Sequence, residues 1–157
     1  MSITAENTEN LQEIEQQWAV KALTHAEAYM SVLSARHPSK LTNLTGIDSK
    51  IYEHFRSMFP TLNIEILDED NDFKSPEAKA KWREFIMQYE KPANAEEEKK
   101  DLEVIKDYNF GSLLRTNCHH DYSAENSMLV VRVQFWAIEI ARNREGFNTE
   151  FCKESSS

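Results

Sequence analysis

RVQFWAIEIARNREGFN, residues 132–148, decides the reading of this chain. Set on a helix, Val133, Trp136, Ala137, Ile140 and Ala141 follow the i, i+3, i+4, i+7, i+8 spacing of a core-facing stripe, and Ile138 widens it. Arg142 and Arg144 precede Gly146, the pattern of a helix end: cations at the negative pole, then a residue free to turn left-handed. Arg144 falls on the apolar stripe, which predicts partial burial beside a carboxylate or carbonyl. A buried, well-terminated helix is the expectation.

Outward from that helix, the 157 residues fit one domain with room for a real core. Three glycines and four prolines favour helices over many tight turns. Leu11, Ile14, Trp18, Ala22, His25, Tyr29 and Val32 predict a long amphipathic helix to about Arg36, with Ala19, Leu23, Ala26, Met30 and Leu33 as a second strip. Asp48 is placed to cap a helix with Ile51, Tyr52, Phe55, Met58 and Phe59 on its apolar face. Ser75-Pro76-Glu77 is a strong helix start, followed by Ala78, Trp82, Phe85, Ile86 and Tyr89. Leu62, Ile64 and Ile66 alternate as in a short strand, with residues 113–117 as its expected partner. Met128 to Val133 suits a strand or a helix start equally. The expected fold is mainly α: four to five helices around a long N-terminal helix and a buried C-terminal one, with room for one short two-stranded β element. Residues 1–10 and 149–157 are expected to be flexible ends of a single domain over 11–148, and 92–103 an exposed acidic insertion.

The net charge of −9 concentrates in residues 62–107, which carry −6, against −2 before and −1 after. A nucleic-acid binder would show a basic footprint, and none is present. No apolar run approaches the ~20 residues of a membrane span, and the first residues lack a signal peptide's pattern. Two cysteines 34 positions apart indicate a reduced intracellular protein.

Candidate chemistry is sparse. Cys118-His119-His120-Asp121 lacks the ligand separation of zinc sites and reads as an exposed polar loop. Asp68 to Asp72 resembles a calcium loop or the acids of a sugar-nucleotide transferase. However, Phe73 stands where a calcium loop needs glycine, and no glycine-rich phosphate loop accompanies it. His25, on the apolar stripe, is expected as a packed histidine, and Trp18, Trp82 and Trp136 as core aromatics. On the 132–148 helix, Arg132, Phe135, Glu139 and Arg142 fall at steps of three, four and three, with Asn143 beside them. That face combines an aromatic with a guanidinium–carboxylate set, the composition of binding hot spots. The alternative is a plain surface ion pair between Glu139 and Arg142.

QFWAIEIARNREG and DYNFGSLLR, with WAVKALTHAEAYM and KSPEAKAKWREF earlier in the chain, resemble the eukaryotic polysaccharide biosynthesis domain-containing protein 1 family. The matches occur in family order and cover most of residues 15 to 148. The segment from Pro92 to Glu103 departs from the family as an acidic insertion, and Val131 stands where proline often precedes the helix arginine. The resemblance implies a small, mostly helical fold with no cofactor, no metal and no enzymatic activity. It marks Trp18, Trp82, Tyr108, Asn109, Gly111, Arg115, Trp136, Arg144 and Gly146 as structural positions. It also implies a dedicated chaperone that meets nascent translation elongation factor one-alpha at the ribosome. The nascent polypeptide-associated complex would be its co-worker and the ribosome an indirect partner. The location would be cytoplasmic, with the nucleus left open. The competing readings are a metal-dependent enzyme of carbohydrate or nucleotide metabolism using Asp68 to Asp72, and a general interaction scaffold.

Overall fold

The computed structural model describes residues 5–42, 44–90 and 110–152, with side chains from Ala19 onward. The side chain of Trp18, the pair Tyr108 and Asn109, and the insertion 92–103 lie outside the described residues. Helix α1 spans Ala5–Ala35, and α2 spans Asp48–Met58. Helix α3 spans Pro76–Met87, and α4 spans Arg132–Glu145. Strands β1 (Gly111–Arg115) and β2 (Ser127–Val131) form a two-stranded antiparallel sheet in the register Gly111↔Val131 through Arg115↔Ser127. The mainly helical fold with one small sheet is therefore as the sequence predicts.

The strand pairing differs. Leu113, Leu114 and Arg115 pair with Leu129, Met128 and Ser127, at the start of the stretch that suited strand or helix equally, whereas the 62–66 stretch contributes a single bridge, Ile66↔Asn117. Its alternation is not that of a strand: Ile64 and Leu67 are buried and Ile66 is exposed. Two main-chain bonds, Leu67 N–H to the Thr116 carbonyl and Cys118 N–H to the Glu65 carbonyl, hold it beside the sheet.

Helix α1 buries the seam between its two predicted strips. Ala22, Ala26, Tyr29 and Leu33 are covered, while the outer members Leu23 and Val32 remain exposed. The helix is packed along one arc narrower than the two strips together. Asp48 is buried and reaches backwards rather than into its own helix, accepting from the Leu44 and Thr45 amides at 2.6 and 2.7 Å and so closing the preceding turn. Ser75 caps α3 as expected, its hydroxyl accepting from the Ala78 amide.

Between α2 and α3 the core is aromatic. Phe59 and Phe73 stack on Trp82 at 4.3 and 5.2 Å, and the Trp82 indole N–H donates to the Asp72 carbonyl, so its burial leaves no orphan donor. Arg56 grips Glu145 through two bonds of 2.9 and 2.8 Å and donates to the carbonyls of Phe59 and Leu62. This bond set ties the ends of α2 and α4 and offsets a carboxylate sitting at a helix C-terminus.

Gly146 ends α4 at φ 86°, with the Phe147 amide donating back to the Arg142 carbonyl at 2.8 Å. A side chain there would meet nothing within 4 Å, so only backbone strain opposes it. Gly146→Ala is expected to lower stability by about 1–2 kcal/mol, a fall in Tm of roughly 2–8 °C for a domain this size. Thermal unfolding followed by circular dichroism measures it.

Candidate partner-binding site

Helix α4 is covered on every side through its middle: Ala137, Ile138, Glu139, Ile140, Ala141, Arg142 and Asn143 are consecutive and all buried. A helix enclosed all round has no free face there. This corrects the exposed arrangement predicted for Phe135, Glu139, Arg142 and Asn143, of which the first three have no solvent exposure at all. Of that set, only Arg132 reaches the surface. The helical spacing was right, but spacing cannot distinguish a polar face turned to water from one turned to buried partners.

The buried partners form one network. Glu139 is shared by two guanidiniums, accepting from Arg115 at 3.0 Å and from Arg142 at 2.8 Å. Asn148 donates to Glu139 and to Asn143, and accepts from Arg115 at 2.7 Å. The Asn143 amide in turn donates to the Tyr29 hydroxyl on α1. Two cations against one anion leave a formal excess positive charge in a dry interior. Main-chain carbonyls solvate it: Ile64 and Thr116 accept from Arg142, and Cys118 from Arg115. The Phe151 ring lies 4.9 Å from the Arg115 guanidinium, adding a cation–π contact from residues expected to be a loose tail. Burial alone would raise the Glu139 pKa; the charges of Arg115 and Arg142 and the bonds it accepts outweigh burial and hold it down to about 2.

At the start of α4 the helix does reach solvent. Trp136, expected in the core, is half-buried, as is Arg132. The Trp136 ring meets His25 edge-on at 5.9 Å, and Phe135 beneath touches His25, Tyr29 and Trp136 at 5.0 Å each. Arg132 donates to the Ser112 hydroxyl at 2.7 Å and lies over Phe110. His25 is pushed down to a pKa of about 4 by burial and by the charge of Arg132, so it is neutral near pH 7. The result is an aromatic patch with one guanidinium, resting on a fixed interior. Such a patch takes apolar side chains, and carboxylates or carbonyls beside them.

The other singled-out groups are structural. Arg144 is exposed rather than half-buried, bonded to the Ser49 hydroxyl and lying over Tyr52. Asp68 accepts from Asn71, and Asp72 from the Asp68 amide, so these acids shape the turn at Glu69–Lys74. Cys118 is buried rather than exposed, and burial raises its thiol pKa. The His119 ring is held between Glu65 and Glu150, and its bonds to both carboxylates raise its pKa. Among the described residues no group of three or more histidine, cysteine, aspartate or glutamate side chains is arranged to hold a metal ion.

The family model described as PBDC1 protein matches residues 14–153. Protein PBDC1 of Mus musculus is 41% identical over 94% of this chain and 68% of its own length; that of Homo sapiens is 41% identical over 94% and 58%. The chain thus spans about two thirds or less of these two mammalian relatives. The PBDC1 homolog of Schizosaccharomyces pombe is 43% identical over 97% of both chains. A solution NMR structure of protein yst0336 from Saccharomyces cerevisiae superimposes with a TM-score of 0.75, at 38% identity over 98% of each chain.

Glu139→Gln keeps the shape and removes the shared charge, leaving two buried cations without an anion. The expected loss is about 3–5 kcal/mol, measured by urea unfolding near pH 7. The native carboxyl titrates near 2, below its ordinary value, so its contribution is complete above pH ~5 and disappears as pH falls towards 2. Wild-type stability should therefore fall with acid more steeply than that of the glutamine variant.

Proposed function

From the premise that the chain belongs to the PBDC1 protein family, shown by the match over residues 14–153, we propose that it is a client-specific cotranslational chaperone of translation elongation factor one-alpha. The protein binds the nascent GTP-binding domain, with the nascent polypeptide-associated complex as co-worker and the ribosome as an indirect partner. It works in the cytoplasm, and its entry into the nucleus is part of the same proposal. The observation that carries a binding role is the Arg132–Trp136–His25 patch, partly exposed and backed by the buried network.

The mechanism is differential binding. A partly folded GTP-binding domain exposes apolar and basic surface; the chaperone covers that surface and favours the states that lead to the native fold. Nucleotide binding then stabilises the native domain and removes what the chaperone recognises. The chain's net charge of −9 draws a basic client and raises the encounter rate, while the aromatic patch supplies the short-range energy.

The test must avoid the interior. Arg142→Glu would put a second carboxylate beside Glu139 inside the core and unfold the protein, so it says nothing about binding. Trp136→Ala and Arg132→Glu act at the surface. If the patch is a hot spot, each costs roughly 2 kcal/mol or more, about thirty-fold in affinity. Recovery of nascent elongation factor one-alpha from ribosomes carrying the tagged variants should drop accordingly, with circular dichroism unchanged. Unchanged recovery from both folded variants would remove the patch from the mechanism.

A further inference from the structure

Helix α3 carries a second stripe that its packing does not use. Ala78, Trp82, Phe85 and Tyr89 face the core, whereas Lys79, Arg83, Ile86, Met87 and Glu90 run along its outer side. Met87 is 57% exposed, and Ile86 is only half-covered. This stripe lines a shallow groove of about 440 Å³, closed below by Phe73 and Trp82 and across by Gln134 at the start of α4.

The groove is charged as well as apolar, with Lys79, Arg83 and Glu90 in its lining. Elsewhere, Arg56, Lys74, Arg115 and Arg142 all pair with carboxylates. Lys81, between the two groove cations in sequence, donates to the Met58 carbonyl and lies over Phe59. Among the described residues, Lys79 and Arg83 have no carboxylate partner, in a chain whose net charge is −9. They stand at i, i+4, so both cations lie on one side of the groove, one turn apart and next to its apolar floor.

We propose that this groove docks an amphipathic helix of another polypeptide, one with apolar side chains on one face and carboxylates along its edge. The apolar face covers Ile86, Met87 and the edge of Trp82, and the carboxylates meet Lys79 and Arg83. Twelve residues of α3 extend about 18 Å, which matches three to four turns of a bound helix laid along it. The overall negative charge of the chain does not forbid an acidic ligand. Screening over about 8 Å at physiological ionic strength leaves the nearest charges in control, and in the groove lining these are two cations, Lys79 and Arg83, against the one carboxylate of Glu90.

The site is separate from the client patch, so the two fail or succeed independently. Fluorescence anisotropy and amide chemical shifts of the full chain are measured with a synthetic helical peptide bearing leucines on one face and glutamates along its flanks. Two controls replace the glutamates by lysine and the leucines by serine. Binding of the glutamate peptide alone, with shifts centred on Lys79, Arg83, Ile86 and Met87, is expected. The double variant Lys79→Glu, Arg83→Glu should weaken it at least tenfold and confer binding of the lysine peptide. No binding, equal binding of both charged peptides, or shifts centred on Arg132 and Trp136 overturns the proposal. So does self-association of the chain that the double variant abolishes, which would make the groove a contact between copies. None of these results alters nascent-client recovery by Trp136→Ala.

Discussion

One carboxylate, that of Glu139, is held between two guanidiniums in a space with no solvent exposure, and the rest of the structure is arranged so that this can persist. Removing three charges from water is costly, and their mutual attraction offsets it only when the remaining donors also find partners. All but the Arg115 Nε are met, and by parts of the chain far apart in sequence: Ile64, Thr116, Cys118 and Asn148, with Tyr29 reached through Asn143. An ion set of this kind is weak evidence for high stability, since well-packed apolar residues can do as much. Its stronger consequence is geometric. Helix α1, the 64–67 segment, the end of β1 and the residues after α4 must all be in register before the charges are satisfied.

That constraint carries over to the surface. Phe135 lies between the network and the patch, contacting Tyr29 on one side and His25 and Trp136 on the other. A binding residue held by packing loses little further freedom when a partner arrives, and this lowers the cost of association. In the proposed mechanism the network therefore matters to binding without touching a partner. A substitution at Glu139 or Arg142 that reduced binding would be acting through the fold.

Much of the fold was legible because helices announce themselves locally. The 3.6-residue spacing, Ser75 before Pro76, and Gly146 after two arginines are short-range signals, and the structure places helices there. The pairing of β1 with β2 was not legible, because five-residue strands carry no partner label and 128–133 satisfies both patterns. The expected binding face failed for a related reason. Arg115 and Glu139 are 24 positions apart and Asn148 and Arg115 33, so no local spacing could show that they meet. Trp136 failed in the opposite direction. Its place on the apolar stripe was correct, but one turn into the helix the stripe is only partly covered, although Val133 before it is buried.

The start of α4 separates two kinds of surface. Successive residues on a helix turn by about 100°, so Arg132 and Trp136 point nearly the same way and Gln134 points away from both. The first pair belongs to the aromatic patch against α1; Gln134 closes the groove against α3. The two surfaces share no side chain, and occupying one leaves the other's contact groups free. Their chemistry also differs, an aromatic patch with one guanidinium against an apolar groove edged by two cations that have no carboxylate partner among the described residues. In the two proposals, the net charge of −9 draws a basic, partly folded client that the aromatic patch then holds, whereas an acidic helical partner is selected at the groove by nearby cations acting within the screening length.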